Sequence, residues 1–336
     1  MSTSKLINLE HNQIKSTWNN NSIVKKSSPK IFCLIQLNEH LIISGHDKGI
    51  ICGWVIGEDK LNLSTCAFTL NAHTNYQIYA VEKVSDISFV SGEWSKLGNI
   101  ILWEIPENDE IGKVSSSKSF SLPTESKRIK LKEGVSVIKM VFSNLLACGM
   151  IDGTIIFWDT HTNQIRMQFE KHTAETRCLL TLCKSKYLLS GSRDKKFYIW
   201  NIEQRGLNSF QFNQEHKGWV NCMCELDKNT KFATAGGDTS DPVIRIWEVG
   251  NKSSIKSLYI HSEVITSLWF ENGFLFSSSH DMTIKRCNPY EHLENEIEKY
   301  NTDVMPDRLL YIQKFSCFAY IAWKNSQIYI IYRIIK

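Results

Sequence analysis

Two sets of side chains in this sequence each combine a histidine, a hydroxyl, an aspartate and a tryptophan. They are His172, Ser190, Asp194 and Trp200, and then His216, Thr234, Asp238 and Trp247. A histidine, a hydroxyl and a carboxylate are the groups that a nucleophilic hydrolase uses. The set recurs in similar segments, however, and no Gly-x-Ser-x-Gly turn presents a serine as a nucleophile. The sequence therefore predicts that the chain is not an enzyme.

The same residue types have a structural explanation. An aspartate at a tight turn, partly shielded by its neighbours, needs hydrogen-bond donors, which a histidine, a hydroxyl and backbone amides provide. A tryptophan N–H is a donor, and the hydroxyl oxygen can accept from it. We therefore expect both sets to brace the fold.

The local sequence around the first set predicts a β-hairpin. Residues 187–202 read YLLSGSRDKKFYIWNI, in which two apolar runs flank a cluster of turn-forming residues. Upstream, His172 precedes another apolar run at residues 178–182. The repeating unit is thus a histidine, a strand and a hairpin.

This unit recurs along the chain. Aligned on the turn and the aromatic residue at the end of the hairpin, seven copies fit, ending at Trp54, Trp103, Trp158, Trp200, Trp247, Cys287 and Ile331 or Tyr332. The copies are roughly 40 to 55 residues apart, and a period of this length is typical of repeat proteins in which each repeat is one small sheet.

The turn from Ser190 to Asp194 and the Trp200-Asn201 pair, preceded by His172, resemble a WD40 repeat. The resemblance implies an all-β fold, a seven-bladed β-propeller with four-stranded antiparallel blades, in which the histidine, hydroxyl, aspartate and tryptophan form one network. Relatives commonly close the ring with a strand from one terminus. We therefore expect residues 1–28 to contribute a closing outer strand to the last blade and residues 29–336 to form a single propeller.

Several copies depart from the pattern. In the first copy Asp47 lies one residue early, and in the second a turn lengthened at residues 93–98 has no aspartate. The fifth copy has about three additional residues after Asp238. Residues 124–132 carry many basic side chains and are expected to be an exposed loop, either simply solvated or in contact with an acidic partner.

Composition excludes a strong global charge. The chain has 39 basic and 35 acidic residues, a net charge of +4, so binding to nucleic acid or a membrane would need a local patch. The first residues lack an apolar core of secretory length and no apolar run reaches membrane-spanning length, so we expect a protein without an export signal. Ten cysteines without a C-x-x-C pair favour reduced thiols. We expect a cytoplasmic or nuclear protein with no metal, no cofactor, no membrane contact and no small-molecule substrate.

The predicted function is that of a protein-interaction scaffold or adaptor within a multiprotein complex. Loops on a rigid scaffold concentrate binding residues, and aromatic and arginine side chains dominate interaction hot spots. Six such residues next to the predicted turns are candidates for partner binding: Tyr76, Trp94, Arg193, Trp219, His280 and Trp323. Packing between blades is the alternative role for Trp219, and filling of the long turn is the alternative for Trp94.

A second function would be docking on a ribonucleoprotein such as the ribosome. It would use basic groups near predicted loops, namely Lys25, Lys26, Lys30, Lys127, Arg128, Lys130, Lys132, Lys195 and Lys196. The two functions differ in whether these groups share one face.

Overall fold

The computed structural model describes residues 30–56, 66–74, 76–106, 122–182, 186–203, 209–211, 215–227, 230–291, 297–313, 316–322 and 328–331. Within these ranges the chain forms antiparallel strands, numbered here β1 to β27, and they make seven sheets. The alternation of apolar and polar residues explains the strands, because one face of each packs on a neighbouring sheet. Within the same ranges, no helix combines the length and the apolar character that a membrane crossing requires.

The first three sheets are complete four-stranded blades. Their strands are β1 Ile31–Asn38, β2 Leu41–His46, β3 Ile50–Val55 and β4 Cys66–Asn71 in blade one, β5 Gln77–Ser85, β6 Ser88–Trp94, β7 Asn99–Glu104 and β8 Thr124–Lys130 in blade two, and β9 Val135–Phe142, β10 Leu145–Met150, β11 Ile155–Asp159 and β12 Gln164–Phe169 in blade three.

Three more complete blades and a shorter sheet follow. Their strands are β13 Thr176–Leu182, β14 Tyr187–Ser192, β15 Phe197–Asn201 and β16 Ser209–Gln211 in blade four, β17 Val220–Glu225, β18 Lys231–Gly236, β19 Ile244–Glu248 and β20 Lys256–Leu258 in blade five, β21 Ile265–Glu271, β22 Phe274–Ser279, β23 Thr283–Cys287 and β24 Glu298–Asn301 in blade six, and β25 Pro306–Ile312, β26 Cys317–Ala322 and β27 Ile328–Ile331 in the seventh sheet.

The predicted propeller with four-stranded antiparallel blades is therefore confirmed, but with six complete blades rather than seven. The seventh sheet has three strands among the described residues. The predicted closing strand from residues 1–28 lies outside the described residues.

The core lies between the sheets. The first strands of neighbouring sheets contact one another in turn, and β1 also contacts β25. Seven clusters of buried apolar side chains fill the seven junctions. The cluster between blade one and the seventh sheet includes Ile42 and Trp54 on one side and Ile312 and Cys317 on the other. The sheets thus form a ring in which each one packs on two neighbours.

The two sides of the ring differ in which strand ends they carry. On one side the first strand of each sheet begins and the second strand ends, as the pairs Gln77 with Trp94 and Thr176 with Ser192 show. The hairpin turn after the second strand touches the connection to the next blade, because a Cβ on Gly153 would lie 2.7 Å from the His172 carbonyl oxygen. We call this side the turn face.

The prediction of a basic loop at residues 124–132 was wrong for most of its length. Residues Thr124–Lys130 form β8, the outer strand of blade two. Its pattern of mostly exposed side chains, with partly buried Lys127 and Ile129, is that of an outer strand with one face on the blade. The sequence did not predict this strand, because an outermost strand needs few apolar side chains and this one is mostly charged.

Candidate functional site

Blade four contains the network that its sequence predicts. His172 Nδ1 donates to Asp194 Oδ2 at 2.9 Å, Ser190 Oγ lies 2.8 Å from His172 Nε2, and Trp200 Nε1 donates to Ser190 Oγ at 2.8 Å. Asp194 also accepts from the backbone N–H groups of Thr173 and Lys196. One carboxylate thus joins the hairpin turn to the segment that precedes the first strand.

Blade five contains the same arrangement with a different acid, so the assignment of Asp238 was wrong. His216 Nδ1 lies 2.8 Å from Asp241 Oδ2, while His216 Nε2 and Trp247 Nε1 both reach Thr234 Oγ1 at 2.7 Å. Asp238 instead accepts from the backbone N–H groups of Trp219 and Ser240. The additional turn residues precede the network acid, and they displace it by three positions along the chain.

In blade five a buried guanidinium bonds the network acid. Arg245 Nη1 and Nη2 each donate to a different oxygen of Asp241, both at 2.9 Å, and its side chain is 8% exposed. Burial opposes ionisation, but hydrogen bonds from His216 and Arg245 hold the pKa of Asp241 at about 2. Asp241 is therefore a carboxylate at neutral pH.

Two further networks occur in blades two and six, where one residue of the family set is replaced. In blade two Glu93 takes the place of the missing aspartate, 2.9 Å from His73 Nδ1. His73 Nε2 and Trp103 Nε1 both reach Ser91 Oγ at 2.8 Å. The glutamate follows Ser91-Gly92 directly in the sequence, and this acidic residue was the signal that could have identified it.

Blade six keeps the acid end of the network without the tryptophan. His261 bonds Asp281 Oδ2 at 2.8 Å and Ser277 Oγ at 2.7 Å, and Cys287 stands where the tryptophan would be. The hydroxyl of Thr283 donates to Asp281 as well.

Blades one and three have partial networks or none. In blade one His46, from the second strand itself, bonds Ser44 Oγ at 2.7 Å, and Trp54 Nε1 donates to the same hydroxyl. In blade three Cys148 is in the position of the hydroxyl residue, and Trp158 Nε1 donates to Asn163 Oδ1 at 3.1 Å instead.

The histidines and hydroxyls of these networks are closed to substrates. His172 and His216 are 7% and 4% exposed, and Ser190 and Thr234 are fully buried. Each hydroxyl is also occupied, since it bonds both a histidine and a tryptophan. This arrangement braces the blade and offers no nucleophile.

Stability is expected to fall as the pH drops below about 6.5. Burial lowers the pKa of His216 and of His261 below the ordinary value of 6.5, although the aspartate beside each opposes the shift. The unfolded chain then binds protons that the folded chain does not, so the stabilisation is complete above pH 6.5 and is lost below it. Each such proton contributes at most about 1.4 kcal/mol per pH unit. Thermal unfolding midpoints between pH 7.5 and 5 test this.

A His261→Gln variant is the control for this pH dependence. The variant removes one of the two histidines that bind a proton more readily in the unfolded chain. Its unfolding midpoint should therefore decline less steeply over the same pH range than that of the unmodified chain. A midpoint that stays level from pH 7.5 to 5 would contradict the expectation. Asp241, whose pKa is about 2, adds a separate loss only below pH 3.8.

Five of the six candidate binding residues lie on the turn face. Tyr76 and Trp219 precede the first strands β5 and β17, Trp94 ends β6, and Arg193 and His280 follow β14 and β22. Tyr76 is 49% exposed and the other four are partly buried. The sixth candidate, Trp323, lies outside the described residues. Of the five, Arg193 and Trp219 are in contact, with the guanidinium carbon 4.6 Å from the ring centroid.

A charged cluster beside that contact was not predicted. Glu175, only 4% exposed at its side chain, places one oxygen 3.1 Å from Arg177 Nη1 and the other 3.0 Å from Arg193 Nε. Arg177 also donates to Asn221 Oδ1 through Nε and Nη2. Glu175 immediately precedes β13, and Arg177 is the second residue of that strand.

An aromatic row on blades one and two was also missed. The rings of Phe32 and Tyr79 stack at 4.7 Å, and Tyr79 lies 5.7 Å from Trp94. Phe32 is buried, whereas Tyr79 and Trp94 are partly exposed. Trp94 therefore does more than fill its long turn, because it extends a row that crosses two blades.

The candidate basic residues that the structure describes are divided among three blades. Lys30 precedes blade one, Lys127 and Lys130 lie on the outer strand of blade two, and Lys195 and Lys196 lie in the turn of blade four. Lys127 donates to the carbonyls of Thr160 and His161, and Arg128 pairs with Glu125. Lys25 and Lys26 lie outside the described residues.

Repeats, register and side-chain networks together define a WD40-type β-propeller. The family model described as "WD domain, G-beta repeat" matches residues 163–201 and 208–248, which include most of blades four and five. The WD40 β-propeller domain of Doa1 has a similar structure, with a TM-score of 0.70 over 97% of each chain at 13% sequence identity. That likeness concerns the fold alone.

Curated proteins are similar in sequence to parts of this chain. An uncharacterized WD repeat-containing protein of Schizosaccharomyces pombe is 25% identical over 48% of this chain and 45% of its own length. The B-type cell cycle switch protein ccs52B of Medicago truncatula is 24% identical over 66% of this chain and 44% of its own. A coronin-like protein of Saccharomyces cerevisiae is 30% identical over 47% of this chain and 24% of its own length. The chain spans less than half the length of these relatives. WD40 repeats are therefore present at residues 163–201 and 208–248, and the fold is that of a WD40 β-propeller.

Proposed function

We propose that this protein is a non-catalytic scaffold that binds other proteins through the turn face of its propeller. The observation that carries the proposal is the convergence of Tyr76, Trp94, Arg193, Trp219 and His280 on one side of a rigid ring. Exposed aromatic and arginine side chains on loops held by a scaffold are the residues that dominate binding energy. The buried state of the histidine networks favours a binding role over a catalytic one.

The proposal is tested by comparing two exposed aromatic residues on opposite sides of the ring. Tyr76 on the turn face is 49% exposed, and Phe142 at the other end of a first strand is 45% exposed. Affinity purification of the tagged full-length chain should recover partners that Tyr76→Ala and Trp94→Ala lose and that Phe142→Ala retains. Loss with Phe142→Ala alone would place binding on the opposite side and refute the proposal.

Ribonucleoprotein docking is the weaker alternative. The basic groups among the described residues are divided between blades one, two and four, and Lys127 and Arg128 already have partners within the chain. Binding driven by phosphate contacts would weaken steeply with salt. Co-sedimentation with ribosomes that salt abolishes would favour docking, and no co-sedimentation at low salt would remove it.

We also propose that the seventh sheet is a seventh blade and that residues 1–28 provide its outer strand, so that residues 29–336 form one propeller. An apolar cluster joins this sheet to blade one, and another joins it to blade six. An unpaired β27 would leave an open edge that invites aggregation. Removing residues 2–28 should lower the unfolding midpoint and promote aggregation, whereas a midpoint equal to that of the full chain would contradict the closing strand.

A further inference from the structure

Arg193 is held in place by two neighbours before any partner arrives. Its Nε atom lies 3.0 Å from Glu175 Oε2, and its guanidinium lies over the Trp219 ring. The Arg193 side chain is nevertheless 38% exposed. Its two terminal nitrogens are the donors with which arginine binds a carboxylate in a bidentate manner. Because the side chain is already ordered, such binding loses little conformational entropy.

The charge of this cluster is positive. The single carboxylate of Glu175 faces two guanidinium groups, those of Arg177 and Arg193, which leaves one net positive charge. Glu175 is buried and occupied by both arginines, so its negative charge is not available to a ligand. Arg177 is 17% exposed and is held by Asn221, so Arg193 is the more accessible of the two.

An apolar surface lies beside the charged cluster. Tyr79 stacks on buried Phe32 and neighbours Trp94. Tyr79 lies near the start of β5 and Arg177 near the start of β13, and the first strands of all blades begin on the turn face. The aromatic row and the arginine cluster therefore lie on the same side of the ring, where one extended segment can contact both.

We propose that Arg193, ordered by Glu175 and Trp219, binds an aspartate or glutamate of an extended partner segment, and that Tyr79 and Trp94 bind an apolar side chain near it in that segment. The inference rests on the proposed scaffold function and adds the chemistry of the partner. A basic segment would meet the net positive charge of the cluster. A nucleic acid would meet the Asp238 carboxylate, which accepts from the backbone N–H of Trp219 beside Arg193.

Selection from a random nonapeptide library on the immobilised full-length protein tests the inference. We expect the selected peptides to be enriched in Asp or Glu close to Phe, Trp or Leu. A fluorescent peptide of the selected consensus should bind Arg193→Gln about tenfold more weakly than the unmodified chain, and Arg193→Lys should fall between them because lysine lacks the planar pair of donors. Added salt should weaken the binding.

Lys195→Gln is the matched control, because it removes an exposed positive charge from the same hairpin turn. It should change the affinity by no more than about twofold, as expected for a charge that does not touch the ligand. Thermal midpoints of all variants show whether each one folds. Trp94→Ala should weaken the binding of a consensus peptide that contains an aromatic residue. It should have a smaller effect on the binding of the same peptide with alanine in place of that aromatic residue.

Several outcomes would overturn the inference. The selection could enrich peptides in Lys or Arg, or enrich none. An acidic consensus peptide could bind the Arg193→Gln variant as tightly as the unmodified chain. A uridine oligonucleotide could bind through Arg193 where acidic peptides do not bind. If Tyr76→Ala and Trp94→Ala still remove captured partners in any of these cases, the scaffold function stands and only the partner chemistry fails.

Discussion

Replacing Asp241 with alanine is expected to lower the free energy of unfolding by about 3–5 kcal/mol, because the substitution leaves a charged group buried without its partner. Arg245 makes two 2.9 Å bonds to the Asp241 carboxylate and a third 2.9 Å contact with His216 Nδ1, and its side chain is 8% exposed. The nearest remaining acid is Glu215, 4.0 Å from Arg245 Nε. His216 Nδ1 and the Lys217 backbone N–H also lose their acceptor. Urea unfolding of the purified chain measures the change.

Two other aspartate substitutions separate the causes. Asp194→Ala removes the equivalent acid of blade four, which accepts from His172 and from two backbone N–H groups, and should cost about 1–3 kcal/mol through unpaired donors. Asp238→Ala, in the same turn as Asp241, should cost about 1 kcal/mol or less, because its backbone donors lie near the surface. If Asp238→Ala destabilises the chain as much as Asp241→Ala does, the assignment of the blade-five network is wrong.

A second substitution tests the contribution of the buried charge itself. The pair Asp241→Ala with Arg245→Leu removes both charged groups, so it should recover part of the stability that Asp241→Ala alone loses. A double variant less stable than Asp241→Ala would mean that Arg245 contributes chiefly through packing.

The period of the repeats and the standard networks could be read from the sequence because hydrogen-bonded ladders fix the spacing within a blade. The hydroxyl lies opposite the same position of the third strand in each network, as Ser190 and Ser277 do. In both of these blades the acid follows four residues after the hydroxyl. The hydroxyl and its third-strand partner are equally far apart in sequence in these two blades, so their turns have the same length and the usual spacing predicts the contact.

The acids of blades two and five could not be found by that spacing. Glu93 follows Ser91 by two residues and Asp241 follows Thr234 by seven, because turn residues outside the ladder can be added or removed without changing strand register. In blade two the acid lies only two residues after the hydroxyl, and the longer side chain of Glu93 still reaches His73. Only the three-dimensional path of the turn determines which acid reaches the histidine.

The turn face was located from the sequence, but the partners of its residues were not. Arg193 and Trp219 belong to different blades, and their contact depends on the angle between neighbouring sheets. Glu175 and Tyr79 carry no signal of their own, because either would be unremarkable on an isolated strand. Contacts between repeats are long-range, and a pattern read within one repeat does not contain them.

Substitution of Gly49 by alanine is expected to destabilise the chain by about 4 kcal/mol or more, among the largest effects of a single residue. Gly49 has a φ of +74°, and a Cβ there would lie 1.8 Å from the His73 carbonyl oxygen. Its own carbonyl accepts from the backbone N–H groups of Ala72 and His73, so the turn of blade one is fastened to the segment that carries the blade-two histidine. Gly273→Ala is the matched control, because Gly273 also has a positive φ, +84°, with no atom within 4 Å of the added carbon. This variant should lower the free energy of unfolding by only about 1–2 kcal/mol, the cost of a left-handed backbone conformation for a residue with a Cβ. Equal losses for the two variants in urea unfolding would show that the contact between the blades is not what makes glycine necessary at position 49.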